Sequence, residues 1–287
     1  MSRATPAPSR ARSARAPATT PAPAPRRAPS AVPRHYLSLP HAVTVELTVL
    51  ELVKDGLKKA VAEQAFMCVY GDAGVGKTFA LDTVLATGVV PARQARLGRL
   101  VPPPAPTPAA LRSHLADALN LTDAHSENPG VFDTALRKTL AARDHLLVVD
   151  EAQRLDAACF EYLRYLVDDP DTTVAIVLAA GEHGLAVLRR QKMLASRTAV
   201  WLKVPALTPD EVRWAIPRFH PLWQHSDDSA LEHLDTRLCH GNFRRWAQAT
   251  HHALRLLRRP RADHSFSGRA VLEDLLDARL LPHTDAR

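Results

Sequence analysis

Apolar positions along the chain fall into two alternating patterns. Short apolar runs occur at Phe66-Met67-Cys68-Val69-Tyr70, at Leu146-Leu147-Val148-Val149, around Val174, Ile176, Val177 and Leu178, and over 199–204, where Lys203 interrupts. Runs of this length, bounded by polar residues, read as strands buried on both faces. Helical spacing fills the gaps between them. Val45, Leu47, Leu50 and Val53 place a helix over 43–57, and further helices are predicted over 79–87, 108–121, 132–142 and 185–194. Thr107 and Pro108 form the cap and first turn of the third of these. Another strand is expected to end at Val101, before the Pro102-Pro103-Pro104 run. Strand and helix alternating in this way predict an α/β fold with a doubly wound parallel sheet over 35–207.

Beyond Leu207 only helical patterns remain. Thr208-Pro209-Asp210-Glu211 carries a cap, a proline and first-turn acids, and helices follow over 228–239 and 242–257. A small all-α domain over 208–258 is therefore expected, followed by a helical C-terminal extension over 259–287.

Composition refines this outline at one end. Of the 287 residues 46% are apolar, enough for a core, yet no apolar run approaches the length of a bilayer span. No membrane insertion is expected. Cys68, Cys159 and Cys239 are odd in number and lack paired spacing, so they read as reduced thiols in a cytoplasmic protein rather than as disulfides or zinc ligands. The net charge of +7 comes from residues 1–34, where seven arginines and eight prolines occur without an acid; the rest holds 30 basic and 30 acidic residues. That segment cannot bury enough surface to order itself and is expected to be a disordered arm. Its composition suits either a phosphate-contacting arm or a solvated linker. Arg93, Arg96 and Arg99 present the same kind of choice between facing a DNA backbone and keeping a strand edge solvated.

The chemistry lies where strands end. Gly71-Asp72-Ala73-Gly74-Val75-Gly76-Lys77-Thr78, followed by Phe79, fits the phosphate-loop pattern G-x-x-x-x-G-K-[ST] between a strand and a helix, so the expected sheet is that of a P-loop NTPase. Glycines let the backbone N–H groups turn toward an anion, and the helix adds its positive end. Lys77 would reach the β- and γ-phosphates of ATP, and the Thr78 hydroxyl would ligate Mg²⁺. The run 146–149 delivers Asp150 and Glu151 at a strand's C-terminal edge. Asp150 would hold the Mg²⁺ shell through water, and Glu151 would accept a proton from the attacking water.

Taken together these features resemble the AAA+ ATPase superfamily over about residues 42–257, with the helical domain as its lid. In many P-loop ATPases the segment before the first nucleotide strand packs near the adenine. The resemblance assigns Arg197, after Ser196, to the position of an arginine finger acting on a neighbouring subunit, and Arg244 in Gly241-Asn242-Phe243-Arg244 to the lid arginine. For each, the alternative is a surface arginine at a helix end. The family usually ends its fourth strand in a polar residue, whereas Ala179, Ala180 and Gly181 stand here, with Glu182 or His183 as substitutes. The Asp-Glu-Ala-Gln motif, compact length and short lid are similar to the transposase-partner ATPases of the TniB and TnsC type and to the ExeA type. Those similarities imply a homo-oligomer, DNA and a transposase or integrase as partners. Arg255, Arg258, Arg259 and Arg261 form a basic helix end that suits phosphates.

Overall fold

The computed structural model describes residues 36–88, 95–121 and 128–257. The N-terminal arm, Arg93, the extension 259–287 and Arg258, Arg259 and Arg261 lie outside them. Within the described residues five strands run parallel: β1 (Phe66–Tyr70), β2 (Ala95–Leu100), β3 (Asp144–Val149), β4 (Val174–Ala180) and β5 (Thr198–Lys203). Their spatial order is β2-β3-β4-β1-β5. The phosphate-loop strand β1 is thus flanked by β4 and β5.

Strand alternation sorts the apolar run onto two faces. Phe66, Cys68, Leu147, Val149, Ile176 and Leu178 join one core with α3 (Pro108–Leu119), α4 (Pro129–Ala141), α5 (Ala157–Asp168), α6 (Gly184–Arg190) and α7 (Lys192–Ala195). Met67, Val69, Leu146, Val148, Ala175 and Val177 face the other way, onto α1 (Thr48–Ala62) and α2 (Lys77–Ala86). The doubly wound sheet follows directly from this burial on both sides. Cys68, Cys159 and Cys239 are free and buried, and burial pushes the thiols of Cys68 and Cys159 up to about 12. Thiols so far from ionising are poor nucleophiles.

Three helical features differ most from the periodicity. The first helix begins at Thr48 rather than Val43. Residues 42–47 are held out of it by tertiary contacts: Val43 N–H donates to the Phe219 carbonyl (2.9 Å), and Ala42 and Val45 pack on Leu39, Phe219 and Ala247. The helix expected over 185–194 breaks at Gln191, whose backbone is non-helical. α5 has no counterpart among the expected helices, although its signal is local. The Asp156 side chain caps the Cys159 N–H (2.8 Å), and Cys159, Phe160, Leu163 and Leu166 then recur on one buried side.

The helical domain has its own core. α8 (Pro209–Phe219) opens with a complete capping box between Thr208 and Glu211, worth about 1 kcal/mol. α9 (Asp228–Leu234) runs into a π-helical turn over Asp235–Cys239, and α10 (Phe243–Leu257) closes the domain. Trp223 and Trp246 meet edge to face at 5.6 Å. Both indole N–H groups are satisfied, by Thr250 and Asp235 respectively, each at 2.9 Å, so the aromatic pair is buried without an unpaired donor.

His220 ties this domain to the N-terminal segment. Its Nδ1 accepts from Leu222 N–H (3.1 Å) and its Nε2 lies 2.9 Å from the Pro40 carbonyl, a pattern only the neutral ring can make. Burial lowers its pKa below the ordinary histidine value, with the Pro40 contact opposing. A depressed folded-state value means that the unfolded chain takes up the proton first as pH falls. Stability is therefore full above about pH 6.5 and declines as acid passes through the folded value. Thermal unfolding at pH 7.5 and 5.5 should show a smaller drop for His220→Gln than for the parent; equal drops would remove His220 from the effect.

Candidate functional site

The turn between β1 and α2 sets the site. Gly76 caps α2 at φ 105°, and Gly74 sits at φ 88°; both lie in the left-handed region where a side chain is strained. Lys77 Nζ donates to the carbonyls of Gly71 and Asp72, each at 2.8 Å. Its long side chain thereby folds back over the loop. Desolvation holds the Lys77 pKa below the ordinary lysine value; Glu151 and Asp150 oppose this, and Arg244 adds to it. An ammonium desolvated in this way gains from an arriving anion.

β3 ends beside the loop because it neighbours β4, which neighbours β1. Asp150 Oδ2 accepts from Thr78 Oγ1 at 2.9 Å. A hydroxyl and a carboxylate at this separation are hard oxygen donors suited to Mg²⁺, which takes one or two protein ligands and completes its shell with phosphate and water. Among the described residues no group of three His, Cys, Asp or Glu could hold a metal by itself. Asp150 also receives Arg99 Nη2 at 3.1 Å, and Arg99 bonds Asp82 on α2. Thus Arg99, although on the edge strand β2, reaches into the site. Glu151 follows in a left-handed conformation (φ 54°), its N–H donating to Asp150 Oδ1 at 3.0 Å and its Oε2 accepting from Gln153 Nε2 at 2.6 Å.

The helical domain reaches the same loop. Asn242 Nδ2 donates to the Ala73 carbonyl (2.7 Å), and Arg244 N–H to the Gly74 carbonyl (3.1 Å). A Cβ on Gly74 would stand 2.5 Å from Asn242 Oδ1 and 2.8 Å from Arg244 Cβ, so the glycine also makes room for the lid. The lid turn is held in place by Asp235 Oδ1, which accepts from Gly241 N–H at 2.7 Å and from Trp246 Nε1.

These elements enclose a cleft of about 360 Å³. Its lining combines polar residues, Lys77, Thr78, Asp150, Glu151 and Arg244, with apolar ones, Val45, Leu47, Leu50, Phe219 and Phe243. Such a mixed lining suits a ligand with both charged and apolar parts. Gly74, Val75, Gly76 and Phe79 line it as well. Phe219 and Phe243 escaped the sequence reading, because their spacing shows only that they belong to helices.

Arg197 is elsewhere. Its carbonyl accepts from Phe66 N–H (2.9 Å) at the start of β1, a strand length of roughly 15 Å from the loop that follows Tyr70. Its guanidinium pairs with Asp168 and contacts the Met193 carbonyl (3.3 Å); that pairing holds the Asp168 carboxyl below the usual range. Glu182 turns to Lys203 (3.1 Å), and His183 precedes α6 without a side-chain cap bond.

Comparison with known proteins places this geometry. Residues 61–188 match the family model described as an AAA domain. The structure is similar to that of Aeropyrum pernix ORC2 in its ADP form, at 18% identity and a TM-score of 0.59 over 83% of this chain and 70% of that one. It also resembles Cdc6p of Pyrobaculum aerophilum (16% identity, TM-score 0.62, 77% and 65% covered). The Thermotoga maritima RuvB Holliday junction branch migration motor is similar too (18% identity, TM-score 0.50, 79% and 68% covered). No curated protein matches the sequence. No described helix is long and apolar enough to cross a membrane. Residues 61–188 are therefore similar to an AAA domain, and the fold that holds them is shared with these solved structures.

Proposed function

We propose that this protein binds and hydrolyses ATP and uses the nucleotide cycle to control assembly of a homo-oligomer on DNA, where it recruits or activates a transposase or integrase. One observation carries the nucleotide reading: Lys77, the Thr78–Asp150 pair, Glu151 and Arg244 line one cleft whose walls also include apolar and aromatic side chains for a base. Thr78 and Asp150 would hold Mg²⁺, which when bound screens and polarises the phosphates. The loop N–H groups and Lys77 bind the phosphate chain, Glu151 takes a proton from the attacking water, and Arg244 adds positive charge from the lid.

The oligomer reading rests on Arg197, which is too far from its own phosphate loop to serve it and would act in a neighbour. The DNA reading rests on the arginine-rich arm, on the TniB and TnsC resemblance, and on a fold shared with RuvB, described as a Holliday junction branch migration motor. A cytoplasmic location follows from this role.

The test is DNA affinity of the full chain, measured without nucleotide, with ADP and with a slowly hydrolysed ATP analogue. At least a tenfold gain with the analogue is expected, and a loss of affinity with rising salt. Binding that ignores nucleotide, or no binding in any state, would overturn the DNA role while leaving the nucleotide site standing. The protein would then be read as an ATPase acting on protein partners.

A further inference from the structure

β4 ends in Ala179 and Ala180, both fully buried, so no side chain there offers a polar atom to the cleft. A polar group arrives from another element. Gln153, in the 3₁₀ turn Ala152–Arg154, donates from Nε2 to Glu151 Oε2 (2.6 Å) and accepts at Oε1 from Gly181 N–H (3.3 Å). Its amide therefore spans from the candidate base to the first residue beyond β4.

The surroundings are shaped for this bridge. Gly184 opens α6 against Gln153, and a Cβ there would stand 2.9 Å from Gln153 Cβ, 3.2 Å from its Oε1 and 2.8 Å from Ala180 Cβ. Gly184 N–H donates to the Gly181 carbonyl at 2.9 Å, which fixes the turn presenting the Gly181 N–H. At the other end Glu151 holds a left-handed backbone conformation that a non-glycine residue adopts only when its surroundings impose it. Arg154 lies 3.9 Å from the same Glu151 oxygen but is farther out than the amide.

We infer that Gln153 is a positioning residue for turnover, holding the Glu151 carboxylate against the end of β4 and supplying the polar contact that β4 itself lacks. The inference rests on reading the cleft as an ATPase site. In that reaction a proton leaves water for the other oxygen of Glu151 while the water oxygen bonds to the γ-phosphorus. The bond from that phosphorus to the β,γ-bridging oxygen breaks, and its electron pair leaves with ADP. The amide takes no proton; it fixes one carboxylate oxygen so that the other meets the water in line.

Steady-state kinetics and ATP binding of the full chain test this with two variants. Gln153→Met keeps length and removes the amide. It should lower kcat by about tenfold, a fraction of what a general base supplies, while ATP affinity stays within about twofold. Gln153→Glu keeps length but puts an acceptor where the amide donated to Glu151 Oε2, so its kcat should fall at least as far as that of Gln153→Met. A fall in kcat with ATP affinity held is the split that a purely structural role would not produce. Gln153→Met turning over at the parent rate, or losing ATP affinity as much as kcat, overturns the assignment. So does Gln153→Glu turning over at the parent rate. A parent protein without turnover overturns the hydrolase reading as well, which separates that failure from failure of the bridge alone.

Discussion

Glu151→Gln is expected to keep ATP in the cleft and to lower turnover by about 100- to 10,000-fold, the range over which a positioned general base contributes. That range corresponds to roughly 3 to 5 kcal/mol of transition-state stabilisation. Binding should survive because on the proposed reading the phosphate contacts would come from the loop, Lys77 and the helical domain, whereas Glu151 makes its bonds to Gln153 and Asp150. The glutamine retains an oxygen and nearly the same shape, but it cannot accept a full proton. Single-turnover hydrolysis beside equilibrium binding of a fluorescent ATP analogue separates the two effects. Hydrolysis at the parent rate would remove Glu151 from the role of base; lost binding would mean that it positions the loop instead.

Lys77→Ala should weaken ATP binding by about 100-fold or more, close to 3 kcal/mol, as expected for loss of one member of a desolvated charge pair. The side chain sits over the carbonyls of Gly71 and Asp72, desolvated and flanked by Asp150 and Glu151. Removing it leaves the phosphate chain facing two carboxylates with less opposing charge. Circular dichroism should show the fold retained, because the loop glycines and the core beneath do not depend on the ammonium group. The same variant also tests Arg197. Lys77→Ala subunits still carry Arg197, whereas Arg197→Ala subunits still carry a whole nucleotide loop, so verified mixed oligomers should recover part of the activity that neither variant has alone. Mixed oligomers without recovery would count against an arginine acting across an interface.

Much of the sheet was legible in the sequence. The runs at 66–70 and 146–149 are apolar at nearly every position, and no half-solvated strand tolerates that, so burial on both faces and a place inside a parallel sheet follow. That the loop at 71–78 joins a strand to a helix and that the acids at 150–151 follow a strand was equally readable, since the flanking apolar runs are local signals. Local pattern failed where distant segments overrode it. Val45 and Leu47 have helical spacing, yet the Phe219 carbonyl and the core around Leu39 and Ala247 hold residues 42–47 out of the helix, against the cleft.

Arg99 and Gln153 show the same boundary at the level of single side chains. The first reads along the chain as one of three basic residues on a strand edge, and the second as a polar residue shortly after two acids. Only the placement of β2 beside β3 puts Arg99 on Asp150, and only the packing of α6 against the turn after β3 brings Gln153 to Gly181. The sequence by itself determined the strands, most of the helices, and the standing of the glycine-rich loop and the two acids at strand ends, because each depends on neighbours within a few positions. Tertiary structure decided which cations face those acids, which aromatics wall the cleft, and that the lid clasps the loop through Asn242 and Arg244. Those contacts join residues as much as 170 positions apart, as in Arg244 and Gly74, and no local periodicity encodes a pairing at that distance.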